Sequence, residues 1–217
     1  MDLQPEEIAP DPAMGTKLSS RLLIYLPVIF IIPLVLLVYT LWPSEPYTLY
    51  IADPVQVGLD GSQVINILGD EGYVPLSLLA SYDIEAVVKS TNRLRDYSAQ
   101  VSRYDFVLAW GDLNRADIDD TISYAQGMRY YTYRWSAETP VSPSYIGSHS
   151  ANVHIIHSDR NILKKVRGIR KNDHIRLRGY LVQVNFPYGP WRSSLTRTDS
   201  GNGACEIMYV TDVEVLK

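Results

Sequence analysis

Cys205 is the only cysteine in the chain, and it stands in Gly201-Asn-Gly-Ala-Cys-Glu206, just behind the polar stretch Trp191-Arg-Ser-Ser-Leu-Thr-Arg-Thr-Asp199. A cysteine hydrolase or transpeptidase needs a thiolate, a base to generate it, and a third group to orient that base. Candidate bases are His149, His154, His157 and His174, and Arg192 or Arg197 would polarise a substrate carbonyl. Cys205, His154 and Arg197 form the smallest set that fits this chemistry. The commoner role of a free cysteine is that of a small apolar residue in a strand, where it is inert. A lone cysteine also rules out an intramolecular disulfide, so an apolar core must hold the fold together.

Three further constellations carry possible chemistry. His149, His154 and His157 are imidazoles that zinc would accept, but a strand turns His154 and His157 to opposite faces and no carboxylate or thiol stands at ligand spacing. No metal or cofactor is therefore expected. Tyr131, Tyr133 and Trp135 share one face of a strand beside Arg129 and Arg134, a platform able to stack sugars or bases, although half-buried aromatics are also ordinary strand residues. Lys164, Lys165, Arg167, Arg170, Lys171, Arg176 and Arg178 form a basic stretch that would face anionic lipid, peptidoglycan or a protein partner, or simply water.

The strongest positional signal lies at the other end of the chain. Leu22 to Trp42 is a run of 21 residues without a charge, and as a helix it would rise about 31 Å, enough to cross the hydrocarbon of a bilayer. It is longer than a secretory h-region and has no small-residue cleavage site, so it reads as an uncleaved signal-anchor. Lys17 and Arg21 precede it and no further cation occurs before Lys89, which keeps the tail cytoplasmic and exports the remainder. The expected organisation is a disordered cytoplasmic tail over 1–21, a transmembrane helix over 22–42, and a periplasmic domain over 43–217 with an internal boundary near 139–147.

The exported part holds 18 Lys+Arg and 20 Asp+Glu. That balance argues against a surface built for phosphate backbones, so no nucleic-acid partner is expected. Apolar patterning predicts strands over 47–51, 82–90, 128–135, 152–157, 174–184, 204–210 and 212–216, and a buried strand over 104–110 from its continuous apolar run and the Gly111-Asp112 stop, while 63–68 fits a short strand or a helical turn. Pro75 to Ala80 reads as a short helical or loop piece. Helices are expected over 115–126, from the face of Ile118, Ile122 and Ala125, and over 160–167 behind an Asp159 cap. Gly179, in mid-strand, marks a bulge or a tight bend. The fold class is α+β with strand in excess. The helix, turn and curved strand of the C-terminal part suggest a small, partly open barrel of the OB type.

The segments 169–182 and 191–206, together with Tyr104-Asp-Phe-Val-Leu-Ala-Trp-Gly111 and Ser150-Ala-Asn-Val-His154, resemble a family of bacterial single-span membrane proteins to which no activity is assigned. The likeness covers most of 82–210. It supplies no catalytic residue, but it implies that Ser193, Ser194, Arg197, Asp199 and Cys205 lie together at one site. The expectation is a membrane-anchored periplasmic binding or scaffold module of a bacterial envelope assembly. It would be held in the inner membrane by 22–42 and meet other envelope proteins through Trp191, Arg192, Ser193, Ser194, Arg197 and Asp199. The alternative is a cysteine-dependent envelope hydrolase or transpeptidase acting through Cys205.

Overall fold

The computed structural model describes residues 31–32, 50–60, 63–199, 201 and 203–216. The expected cytoplasmic tail and, apart from Ile31 and Ile32, the expected span lie outside the described residues, among which no helix is long and apolar enough to cross a membrane. The part of the chain after residue 44 is one unit. Its elements are β1 (Val55–Gly58), β2 (Val64–Gly69), β3 (Gly72–Arg93), β4 (Tyr104–Ala109), α1 (Ala116–Asp119), β5 (Ile122–Gly127), β6 (Tyr130–Trp135), α2 (Pro143–Ser148), β7 (Ser150–His157), α3 (Arg160–Gly168), β8 (His174–Phe186), β9 (Gly189–Arg192) and β10 (Glu206–Leu216).

β3 organises the sheet. Ala80, Tyr82, Ile84, Ala86 and Val88 are buried in the interior, whereas Leu76 and Leu78, before a shift of register, are buried in a second apolar cluster with Val182, Val184 and Ile207. Shifts of register after Leu78 and after Val88 bend it, as bulges do. Its first two-thirds then pair with β8 (Leu76 to Val87) and its end with β4 (Val87 to Arg93). β4 pairs with β7, β7 runs parallel to β10, and β10 pairs with β8, so the path of hydrogen-bonded strands returns to β3. The sheet is thus partly closed around an interior of Ile84, Phe106, Leu108, Trp110, Val153, Ile155, Ile175, Leu177, Met208 and Val210. β1, β2 and β9 are flaps on the edges of β3 and β8.

α3 closes one end of the interior. The Asp159 carboxylate accepts from the Asn161 and Ile162 amides at 2.6 and 3.0 Å, satisfying donors that the first helical turn leaves free. Ile162 and Val166, four residues apart, bury against the core with Ile169. At Gly179 the β10 backbone comes so near, opposite a register shift between Val210 and Asp212, that any Cβ would collide with the Tyr209 carbonyl. The bend expected at this glycine is therefore present, and the close backbone approach requires the glycine.

Two sequence expectations are corrected. Pro75 to Ala80 is strand rather than a helical or loop piece: Leu76 and Leu78 are buried and outweigh the ladder donor that Pro75 lacks. Arg115 to Gln126 is not one helix either. Only Ala116–Asp119 is helical, and Ile122 starts a strand that pairs with β6 from Ile122↔Trp135 to Gly127↔Tyr130. Ile118 and Ile122 do share a small apolar cluster with Leu113 and Ile146, but they reach it from two different elements.

Candidate functional site

β5 and β6 form a two-stranded sheet of their own, and polar side chains hold it against the outer side of β4 and β7. On β7, Ala151, Val153 and Ile155 point into the interior, so Ser150, Asn152 and His154 point out, yet all three are buried. The hairpin covers them. Gln126 Nε2 donates to Asn152 Oδ1 at 2.8 Å, Asn152 Nδ2 donates to the Arg129 carbonyl at 2.8 Å, and the Tyr131 hydroxyl donates to the Ser150 carbonyl at 3.0 Å.

Met128 and Arg129 make the two-residue turn with φ of 45° and 67°. Two-residue hairpins take such left-handed pairs, but Asn and Gly ordinarily supply them, and a bulky residue there is strained. Arg129 compensates through its side chain. Its guanidinium donates twice to Asp96, at 2.6 Å each, once to Asp105 Oδ1 at 3.3 Å and once to the Ser102 carbonyl at 2.8 Å. It also lies 5.0 Å from the centre of the Trp191 ring. Asp105, a charge inside the otherwise apolar run of β4, is buried directly across the ladder from His154, whose Nδ1 is 2.8 Å from Asp105 Oδ2. The His154 ring packs 4.8 Å from Trp191. Arg129 holds the Asp96 carboxyl below the usual carboxylate range.

Two cavities open beside this anchor. One, of about 530 Å³, is lined by Asp96, Met128, Arg129, His154, Trp191 and Arg192. The other, of about 210 Å³, lies between the tyrosines of β6 and the segment leading into β10, and is lined by Tyr131, Tyr133, Ala151, Arg197, Asp199 and Glu206. Tyr131, Tyr133 and Trp135 do share a strand face, with ring centres 6.1 and 5.8 Å apart. Glu206 has the interior-facing parity of Met208 and Val210 and is buried, and its Oε2 has no hydrogen-bond partner. Burial pushes its carboxyl up to about 8.

Cys205 lines both cavities. Its Sγ donates to the Arg129 carbonyl at 3.7 Å and accepts from Asn152 Nδ2 at 3.9 Å. Burial pushes the thiol up to about 11, so at neutral pH the nucleophilic thiolate is scarce. No histidine nitrogen is among its hydrogen-bond partners in the described residues. His149 stacks on Tyr145 at 3.8 Å and His174 Nε2 sits 2.8 Å from Glu85. His157 ends β7, where burial lowers its pKa.

The segment expected to bind is divided in role. Trp191 packs on His154 and Arg129, and Arg192 donates to Gln183 at 3.0 Å. Ser193 Oγ accepts from the Ile207 amide at 3.0 Å and donates to the Ser194 carbonyl at 2.8 Å, tying the segment to β10. Ser194 Oγ donates to Asp199 Oδ2 at 2.7 Å and shapes the turn. Arg197 and Asp199 reach the smaller cavity with Cys205 beside them. Glu206, Tyr82, Asp105 and Asn152 were not among the expected site residues. The available signal was polarity at strand positions whose neighbours are apolar. Comparison with protein-family models, curated proteins and solved structures finds no match.

Proposed function

We propose that this chain is a membrane-anchored periplasmic binding module of a bacterial envelope assembly, with 22–42 as its anchor, and that its domain is an OB-type barrel. The partly closed ring of five strands, its one parallel pair and a helix between β7 and β8 support the barrel reading. Such barrels bind oligonucleotides and oligosaccharides on the second and third strands and on nearby loops, and on this reading β4, β7 and the segment before β10 correspond to those positions. The resemblance of 82–210 to bacterial single-span proteins accords with the same reading.

One observation carries it: the cleft beside the β5–β6 hairpin is lined by Arg197, Asp199 and Glu206, and the buried Glu206 Oε2 has no hydrogen-bond partner among the described residues. The thiol beside it is protonated and faces an amide and a carbonyl, which gives the cysteine-enzyme alternative no support. The test uses the full-length chain in cells, with a photo-crosslinking residue at Thr196 or, as a control, at Asn172. Adducts to a discrete envelope protein are expected from Thr196 alone. Equal adducts from both positions, or a reporter fused after Lys217 that works only in the cytoplasm, overturn the proposal.

A further inference from the structure

Glu206 is a carboxyl buried without a partner for Oε2 at the wall of a cavity. A buried polar atom left unpaired costs about 1–3 kcal/mol, so native chains rarely keep one without a use. Two other groups near it are also incompletely satisfied. Arg197 lines the same cavity, and no carboxylate among the described residues forms an ion pair with it. The Tyr82 hydroxyl is buried beside the Arg197 guanidinium, close enough to feel its charge, but makes no well-formed hydrogen bond.

The proton inventory of the trio fixes what it can receive. An arginine has only donors, and a tyrosine and a protonated carboxyl each offer one O–H. Burial raises the Glu206 carboxyl to about 8, with Asp199 adding to the rise and Arg197 opposing it, so it is neutral and a donor at pH 7. Arg197 and Glu206 at the wall of one small cavity, with Tyr82 behind them, call for an acceptor-rich anion. Asp199 on the rim and the low polarity around Glu206 disfavour a dianion, and a planar carboxylate matches the fork of a guanidinium. Tyr131, Tyr133, Ala151 and Ala204 supply apolar walls for the remainder of the ligand.

We propose that this cavity is a carboxylate-binding site, in which Arg197 and the Glu206 carboxyl take the ligand carboxylate and the β6 tyrosines flank the group attached to it. This deepens the binding-module reading and rests on it. A carboxylate can come from a free small acid or from the end of a polypeptide, and the test separates the two sources.

Full-length protein in detergent micelles is titrated calorimetrically with benzoate, with the dipeptide acid N-acetyl-Ala-Tyr, with the C-terminal amide of that dipeptide, and with inorganic phosphate. Saturable binding of a carboxylate is expected, with the amide at least tenfold weaker. Benzoate binding more tightly than the dipeptide acid identifies a free acid, and the reverse identifies a chain terminus. Arg197→Ala should weaken binding tenfold or more, Arg197→Lys less. The native protein should lose affinity above about pH 8, and Glu206→Gln, which keeps a donor, should retain binding and remove that loss. Equal binding of acid and amide, preference for phosphate, no carboxylate binding, or an Arg197→Ala protein that binds unchanged each overturn the proposal. If the Thr196 crosslinks persist while no carboxylate binds, only the ligand class falls.

Discussion

The five-strand ring and the β5–β6 hairpin are held by different forces. Every ring strand has a neighbour on both sides, and its interior is almost wholly aliphatic and aromatic. The hairpin pairs only with itself. It stays in place through Arg129, Asp96, Asp105, Asn152 and a small apolar cluster at its base. Apolar burial is strong but non-directional, whereas charge-assisted hydrogen bonds fix geometry and depend on protonation. The cleft lies where the second kind of force operates, so its shape is set by a few polar contacts that can be removed one at a time.

The largest expected effect is on the ring. Phe106→Ala empties a fully buried site in the interior and should cost about 3–5 kcal/mol, with ring and hairpin melting together in a denaturant titration. Arg129→Ala should cost about 3 kcal/mol, because it leaves the Asp105 carboxylate buried without its guanidinium. Its signature is local. Amides of 122–135 should lose protection against hydrogen exchange while those of β3 and β8 keep theirs, and a uniform loss would erase the distinction between the two regions.

Proton titration should separate the regions next. Folding favours ionised Asp96, since Arg129 lowers its pKa from 3.8. That stabilisation is complete above 3.8 and is lost as pH falls through the lower folded value. Acid should therefore loosen the hairpin, and Asp96→Asn should remove this acid limb. Glu206 has the opposite sign. Its pKa rises from 4.5 to about 8 on folding, so its contribution is complete below 4.5 and is lost as pH rises through about 8. Glu206→Gln should flatten the decline over that window in melting temperature.

Smaller effects probe the turn and the thiol. Met128 is exposed at a φ of 45°, and Met128→Gly should relieve strain and stabilise by about 0.5–1 kcal/mol. Cys205 should react slowly with iodoacetamide at pH 7.5 and faster in Arg129→Ala. Fast alkylation of the native protein would contradict the buried, protonated thiol.

Much of the strand-rich fold was legible in the sequence because a one-sided core writes a period of two. His174 to Phe186 follows that rule in part and the α3 cap at Asp159 follows the capping rule, while Tyr104 to Ala109 and Ser150 to His157, buried on both faces, read instead as short apolar runs. The hairpin was less legible because Ile118 and Ile122 happen to fit a helical spacing while lying in separate elements. The site was legible in part. Arg197, Asp199 and Cys205 do meet at one cavity with Glu206, the residue after Cys205, but Tyr82 comes beside Arg197 from β3, more than a hundred residues away in sequence, a proximity that only the fold creates. Ser193 and Ser194, expected as ligand groups, make hydrogen bonds within the chain, Ser193 to the Ile207 amide and Ser194 to the Asp199 carboxylate.

The place of β10 between β7 and β8 has a consequence for how the chain reaches this state. Residues 206–216 supply both the parallel pair with β7 and the antiparallel pair with β8, and β3 finds β8 across a long stretch of intervening chain. During synthesis, β3, β4 and β7 emerge first with unpaired edges and wait for the segment that joins them. Such non-local contacts make folding slow, so the interval before β10 arrives is the time when the chain most needs protection from its neighbours.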